Sequence, residues 1–172
     1  MNHFELFGLV PGFELDTRQL GETYRQLQTQ FHPDRFATAP ERERLASVQQ
    51  AARINDAFAT LKAPLRRAEY LLSLRGTEIR GEQQTLQDTA FLMQQLEWRE
   101  RLADLKSDPQ PEVAIADFRQ EIGQDHRHLM QLLIDSLAAG DDLKAADCVR
   151  KLKFVDKLLD ELERFEDSLF ES

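Results

Sequence analysis

The sequence has 172 residues, 31% of them charged and 41% hydrophobic, which suits one ordinary domain or two small ones with a buried core. The formal net charge is −9, and the acidic residues lie mostly in the C-terminal half. This charge argues against nucleic acid as the main partner, because phosphate binding needs a basic face. The single cysteine, Cys148, cannot form an internal disulfide, and no CxxC pair is present to hold zinc or an iron–sulfur cluster.

The N-terminus has no basic segment followed by an apolar run, so no secretory signal is expected. No stretch is apolar for long enough to cross a bilayer. These features predict a cytoplasmic protein that contacts no membrane. Cys148 lies near the apolar side of the last helical segment and is expected to be a small packing residue. Neither a metal nor a cofactor is expected.

Nearly every segment has the apolar spacing of an α-helix, and no run alternates strictly enough to indicate a strand, so the sequence predicts an all-α protein. A short helix is predicted over Asn2–Leu6, and Asp16 is a good N-cap for a second helix. That helix must end by His32, because a residue before proline is pushed away from helical backbone angles. One side of it carries four apolar residues: Leu20, Tyr24, Leu27 and Phe31.

A loop is predicted after this helix as far as Pro40, and a long antiparallel helix from Glu41 to about Lys62, ended by Pro64. Further helical turns are predicted over Leu65–Leu74. The apolar residues of the long helix are Leu45, Val48, Ala52, Ile54, Ala57, Phe58 and Leu61.

Two glycines in the six residues 76–81 indicate a linker. Three helical segments follow it: roughly Asp88–Lys106, Glu112–Ala138 and Asp141–Ser168. Short loops between long helices favour an antiparallel three-helix bundle. The predicted organisation is an N-terminal domain over residues 1–75, a linker over 76–84 and a bundle over 85–172.

The tripeptide His32-Pro33-Asp34 stands between the two antiparallel helices of the N-terminal part. Pro33 fixes its backbone φ and removes a donor, which suits a rigid docking loop. Asp34 presents a carboxylate that an arginine of a partner can grip through two hydrogen bonds. The alternative is an ordinary surface turn, since proline and aspartate are common turn residues.

The predicted helix that begins at Asp88 has two apolar faces, whereas a bundle helix needs only one. Four residues form the face that would join the core: Phe91, Trp98, Leu102 and Leu105. Roughly opposite lie Leu92, Met93 and Leu96, with charged residues around them. Two interpretations stay open at this point, an interface with the N-terminal domain and a partner-binding patch. Phe154, on the flank of the apolar stripe formed by Leu152, Val155, Leu159 and Leu162, is either a core edge or a partner contact.

Several segments resemble known families. The N-terminal part resembles the J-domain pattern, in which a Tyr-x-x-Leu helix leads into His-Pro-Asp. The resemblance lies in three segments: Phe4–Leu9, Tyr24–Leu27 and Phe31–Phe36. Three further segments resemble the HscB (Hsc20) family of iron–sulfur co-chaperones: Ala63–Leu72, Asp88–Met93 and Val149–Phe154. Together these segments extend over nearly the whole chain, so the resemblance is specific to that family.

The resemblance implies a J-domain followed by a three-helix bundle, with no catalytic residue. It implies that the protein promotes ATP hydrolysis by a DnaK-type (HscA-like) chaperone. The residues that would contact this chaperone are His32, Pro33, Asp34, Arg25 and Arg35. It also implies that an IscU-like iron–sulfur scaffold protein is bound by Leu92, Met93, Leu96, Glu97, Arg99, Glu100 and Phe154.

The sequence leaves two alternative functions to consider. One is a J-domain co-chaperone that serves a different client. The other is an enzyme that uses His32 and Asp34 as an acid–base pair, which would need a pocket and a nucleophile or bound substrate. No Gly-rich phosphate loop or Ser/Cys nucleophile motif accompanies the pair, so the sequence favours a protein that is not an enzyme.

Overall fold

The computed structural model describes residues 1–79 and 88–171. Within these ranges all regular secondary structure is helical, which confirms the all-α prediction. The chain divides into two compact units, residues 1–75 and 76–172. The predicted linker, 76–84, lies outside the described residues from position 80 onward, and its role as a linker stays a prediction.

The N-terminal unit is built from four helices and a turn of 3-10 helix: α1 (His3–Leu6), α2 (Thr17–Phe31), the 3-10 turn Pro33–Phe36, α3 (Glu41–Lys62) and α4 (Pro64–Leu74). Asp16 caps α2, because its carboxylate accepts hydrogen bonds from the backbone amides of Arg18 at 3.0 Å and Gln19 at 3.2 Å. The predicted start and end of α2 agree with the structure.

Helices α2 and α3 form an antiparallel hairpin. The Tyr24 ring stacks on Phe58 with centroids 4.0 Å apart, and its hydroxyl donates a 2.8 Å hydrogen bond to the Asn55 side chain. Farther along α2, Phe31 lies beside Ala51, which is nearer the start of α3. Residues later in α2 therefore lie beside residues earlier in α3, so the two helices run in opposite directions.

A buried arginine joins three segments of this unit. Arg67 of α4 is 6% exposed. Its Nε donates to the Phe13 carbonyl oxygen at 2.7 Å, and its Nη1 donates to the Leu61 carbonyl oxygen at 2.6 Å. Burial lowers the pKa of the Arg67 guanidinium from its ordinary value. The loop before α2 and the last turn of α3 are thereby fixed to α4.

Two large apolar residues of α3 do not join the core, and the predicted apolar residue Ala52 is also exposed. Leu45 is 58% exposed and Val48 is 52% exposed. The buried side of α3 instead repeats every seven residues through Ser47, Ile54 and Leu61. Because seven residues make nearly two helical turns, this stripe faces away from Leu45.

The C-terminal unit contains the predicted three-helix bundle. Its described elements are α5 (Thr89–Asp104), a 3-10 turn (Leu105–Ser107), α6 (Pro111–Ala139) and α7 (Asp142–Phe170). Asp88 caps α5 by accepting a 3.1 Å hydrogen bond from the Phe91 amide. Gly140 ends α6 with a φ of 75°, a left-handed conformation that glycine adopts without steric cost.

The bundle core is formed mainly by α6 and α7, and Trp98 of α5 closes it at 2% exposure. Beyond Val149, the fully buried residues of α7 are Leu152, Val155, Leu158 and Leu162. The sequence placed Leu159 in this stripe, and that prediction was wrong. Leu159 is only partly buried, because the stripe advances by three residues at Val155–Leu158 and not by four. Among the helices of the described ranges, none combines the length and apolar character that a membrane span requires.

Candidate functional site

The first candidate site is the His32-Pro33-Asp34 turn of the N-terminal unit. His32 ends α2 in an extended conformation, with φ −62° and ψ 133°, and Pro33 opens the 3-10 turn. The His32 ring Nδ1 accepts a 3.1 Å hydrogen bond from the Asp34 amide, and the Arg35 amide donates to the His32 carbonyl oxygen at 3.0 Å. The segment that was predicted as a loop is thus a short, capped helical turn.

The Asp34 carboxylate points away from the protein. Its side chain is 93% exposed, whereas that of His32 is 51% exposed. The His32 Nδ1 atom lies 3.6 Å from one carboxylate oxygen, and the same nitrogen accepts from the Asp34 amide. The turn therefore fixes the backbone of Asp34 and leaves its carboxylate accessible to a cationic group of another protein.

Two predicted basic residues lie near this turn. Arg25 is exposed on α2, seven residues before His32, so two helical turns put it on the same side of the helix. Arg35 reaches back to the end of α2, where its Nη1 donates to the Thr29 carbonyl oxygen at 3.4 Å. Arg18, by contrast, is held 3.8 Å from Glu22 one turn away. The basic surface around the turn is small.

A cavity of about 200 Å³ lies behind the turn, lined by Gln28, Phe31, His32, Pro33, Ala51, Ile54 and Asn55. Pockets that enclose small-molecule substrates usually measure about 300–1,000 Å³. In the described part of the chain, no group of three or more His, Cys, Asp or Glu side chains is arranged to hold a metal ion. The geometry of the turn suits contact with a protein surface better than enclosure of a substrate.

The second candidate site is the outward face of α5. Leu92, Met93 and Leu96 are 40%, 62% and 61% exposed, whereas Phe91 is 8% exposed on the side of the core. We call these three exposed residues together with Phe154 the apolar patch. Exposed apolar side chains on a well-packed helix are the property that a partner-binding face requires.

Phe154 is placed beside the start of α5 by two contacts between α5 and α7. Its ring meets the Phe91 ring edge-on with centroids 6.3 Å apart, and Phe154 is 41% exposed. One turn earlier, the Lys151 ammonium donates to Asp88 at 2.8 Å and lies 3.1 Å from Asp147. Phe154 therefore contacts Phe91, which directly precedes Leu92 in the chain.

These ion pairs shift the protonation of both partners. The hydrogen bond from Lys151 lowers the pKa of the Asp88 carboxyl, and the Phe91 amide adds to this effect. Burial acts against the charge of Lys151, but its hydrogen bonds to Asp88 and Asp147 outweigh burial and raise its pKa. Sequence periodicity gave no sign of this contact, since Asp88 and Lys151 are 63 residues apart.

The charged residues predicted around the apolar patch have different surroundings. Glu97 and Glu100 are exposed, and Glu97 borders a shallow depression together with Met93. Arg99 forms an ion pair with Glu161 of α7, and both side chains are about one third exposed. Arg99 therefore also fixes α5 to α7, a role that the sequence did not indicate.

Solved structures share this fold. Chaperone HscB from Vibrio cholerae matches with a TM-score of 0.90 at 52% identity, covering 98% of this chain and 99% of that chain. Human co-chaperone HscB matches with a TM-score of 0.89 at 26% identity, covering 96% of this chain and 82% of that chain. The helical hairpin with its His-Pro-Asp turn and the three-helix bundle therefore define an all-helical co-chaperone.

Sequence comparisons give the family. A family model described as the HSCB C-terminal oligomerisation domain matches residues 87–163. The co-chaperone protein HscB homolog of Aeromonas salmonicida is 83% identical over 172 residues, which is 100% of each chain. The chain belongs to the HscB family of co-chaperones. These relatives are named for a class of proteins that assists chaperones and is not enzymatic.

Proposed function

We propose that this chain acts in iron–sulfur cluster assembly by holding a cluster scaffold protein next to a DnaK-type chaperone and stimulating ATP hydrolysis by that chaperone. In this proposal residues 1–75 are the chaperone-binding J-domain, 76–84 a linker and 85–172 the scaffold-binding bundle. The observation that carries the proposal is the exposure of Leu92, Met93 and Leu96 on a helix whose other face is buried at Phe91 and Trp98, while Leu102, predicted on that face, is only partly buried.

The chaperone-binding surface consists of His32, Pro33, Asp34, Arg25 and Arg35. The exposed Asp34 carboxylate binds an arginine of the chaperone, and a charge-assisted pair of this kind contributes about 1.5–3 kcal/mol. The His32 cap keeps the turn in one conformation before binding, which reduces the entropy lost on docking. Stimulation follows if the turn binds the hydrolysis-competent conformation of the chaperone more tightly than the other one.

The scaffold-binding surface is the apolar patch with its charged neighbours Glu97, Arg99 and Glu100. Burying a large apolar side chain contributes about 1.5–3 kcal/mol when it is fully covered, so four half-exposed side chains supply a useful part of a specific interface. The edge-on contact of Phe91 with Phe154 holds the α7 side of this surface in register with α5. A folded scaffold domain that presents an apolar face of similar size would complete the interface.

The two surfaces belong to one chain, and this covalent connection is the basis of the coupling. A scaffold bound to the bundle is kept at a high effective concentration near the chaperone that is bound to the J-domain. No residue of this chain has to take part in the hydrolysis chemistry. The co-chaperone changes only the encounter between its two partners and the conformation of the ATPase.

The test is single-turnover ATP hydrolysis by the chaperone, measured with this protein in the presence and absence of an IscU-like scaffold. We expect His32→Gln to abolish stimulation under both conditions. Leu92→Ala with Leu96→Ala should keep the stimulation by the protein alone and lose only the additional stimulation that depends on scaffold.

A matched control removes exposed apolar side chains elsewhere in the bundle. Val113 and Leu143 are 56% and 79% exposed and lie outside the apolar patch. The variant Val113→Ala with Leu143→Ala should behave like the wild type. An equal loss in both double variants would mean that the apolar patch has no specific role, and the proposal would fail.

A further inference from the structure

A groove lies between α5 and α7 in the bundle, beyond the C-terminal end of the apolar patch. Its volume is about 590 Å³, and it is open to solvent. It is lined by the apolar side chains of Leu102, Ala103 and Phe165 and by the cationic side chains of Lys106 and Arg164. The volume is large enough for several side chains of a partner, and the described part of the chain does not fill it.

The groove and the apolar patch lie along one face of α5. On α5, Leu92, Leu96, Arg99 and Ala103 follow each other at spacings of four, three and four residues, and Lys106 lies in the 3-10 turn after α5. Residues three and four apart are neighbours on a helix surface, so the four side chains on α5 form a single stripe about 16 Å long. A partner bound at Leu92 and Leu96 therefore meets the groove if it continues along α5.

The charge of the groove is opposite to that of the whole protein. Arg99 is paired with Glu161, so the charges of these two residues largely offset each other in the groove. Within the described ranges, Lys106 and Arg164 form no ion pair, although Asp160 lies one helical turn before Arg164. Two accessible cations beside an apolar floor, in a chain of net charge −9, favour an acidic ligand.

The apolar patch by itself is small for a specific complex. Standard interfaces cover about 800 Å² on each partner, which takes roughly 20–30 residues on each side. The four partly exposed side chains of the apolar patch supply only a fraction of such a surface. Extension along the stripe into the groove adds both apolar area and charge complementarity.

We propose that the groove binds an acidic segment of the scaffold protein, in which an apolar side chain lies on Leu102 and Phe165 and flanking carboxylates pair with Lys106 and Arg164. This inference rests on the proposed scaffold-binding function and extends its surface. The Arg99–Glu161 ion pair joins α5 to α7 where both helices line the groove.

The test compares scaffold affinity between charge-reversal variants of the full-length protein. Lys106→Glu with Arg164→Glu should weaken scaffold binding about tenfold or more at low salt, because each reversal replaces an attraction with a repulsion. The milder Lys106→Gln with Arg164→Gln should weaken it about threefold and should flatten the dependence of affinity on salt concentration. The milder variant also guards against loss of folding in the charge-reversed one, and helicity by circular dichroism checks both.

A matched control reverses two exposed cations of the bundle that lie outside the groove. Arg127→Glu with Lys144→Glu changes the net charge by the same amount and should bind scaffold within about twofold of the wild type. Equal weakening in the control would show that only net charge matters, and it would overturn the groove assignment.

The outcomes separate this inference from the function on which it rests. Unchanged affinity in both groove variants, together with lost affinity in Leu92→Ala with Leu96→Ala, overturns the groove and leaves the proposed function intact. Failure of the wild-type protein to bind scaffold overturns both. Sedimentation that shows a dimer of this chain, dissociated by the groove variants, would assign the groove to a second copy and also overturn the inference.

Discussion

The Nδ1 atom of His32 accepts a 3.1 Å hydrogen bond from the backbone amide of Asp34. In this geometry the ring proton is assigned to Nε2, so the imidazole caps the 3-10 turn with one nitrogen and presents a donor with the other. The first residue of the tripeptide thus has an internal structural role, whereas the proposed contact with the chaperone belongs to the third. Substitutions can separate the two roles.

Asp34→Asn should weaken chaperone binding without changing the fold. The substitution removes the charge from a side chain that is 93% exposed, and the backbone amide still donates to His32. Loss of a charge-assisted pair should raise the Kd about tenfold or more. Isothermal titration with the ATP-bound chaperone measures this change. The control Glu41→Gln removes an exposed carboxylate from the start of α3 and should leave the Kd unaltered.

Arg67→Met should destabilise the N-terminal unit by about 3 kcal/mol. The substitution leaves the carbonyl groups of Phe13 and Leu61 without their buried donors. Hydrogen exchange of the slowest amides in α3 and α4 reports the free energy of opening. Arg66→Met removes an exposed neighbour and should change this free energy by less than about 0.5 kcal/mol. Equal effects of the two substitutions would contradict the role assigned to Arg67.

The ion pair between Asp88 and Lys151 should make the stability of the bundle depend on pH. The pKa of Asp88 is lowered from its ordinary value in the folded state, chiefly by Lys151. Stabilisation by this group is therefore complete above the ordinary pKa of the carboxyl and is lost as the pH falls through the lowered pKa.

Asp88→Asn isolates this effect, because asparagine caps a helix about as well as aspartate but carries no charge. The wild type should be more stable than the variant at pH 7, and the difference should shrink steadily below about pH 4. Urea titrations at a series of pH values measure it. A difference that stays constant down to pH 2 would show that the ion pair makes no contribution.

The Cys148 thiol should react slowly in the folded protein. It is 4% exposed, and burial, aided by the charge of Asp147, raises its pKa, so both access and thiolate content are low. We expect labelling by a thiol-specific disulfide reagent to be slower than in denaturant by on the order of a hundredfold or more. A cysteine at the exposed position Thr38, in a Cys148→Ala background, should react at nearly the denatured rate.

The sequence predicted those parts of the fold that local chemistry decides. The bounds of α2 follow from the Asp16 cap and from the restriction that Pro33 places on His32, and both are visible in the chain. The two apolar faces of α5 follow from its periodicity, which separates Phe91 from Leu92. The end of α6 follows from Gly140.

Other features depend on which helix lies opposite, and periodicity does not contain that information. The pairs Asp88–Lys151 and Arg99–Glu161 join residues 63 and 62 positions apart. Leu159 and Leu158 are both apolar, and only the packing angle of α7 decides which one is fully buried. The groove at Lys106 and Arg164 is invisible in the sequence for the same reason, because α5 and α7 each supply one side of it.

We predict that the His32-Pro33-Asp34 turn and the apolar patch must belong to one chain for the additional, scaffold-dependent stimulation. A complementation experiment tests it most directly, by mixing His32→Gln with Leu92→Ala/Leu96→Ala in the scaffold-dependent chaperone ATPase assay. Each variant keeps one intact surface. We predict that the mixture shows only the stimulation of the second variant alone, with none of the additional scaffold-dependent stimulation of the wild type. Restoration of the full wild-type stimulation by the mixture would contradict the account.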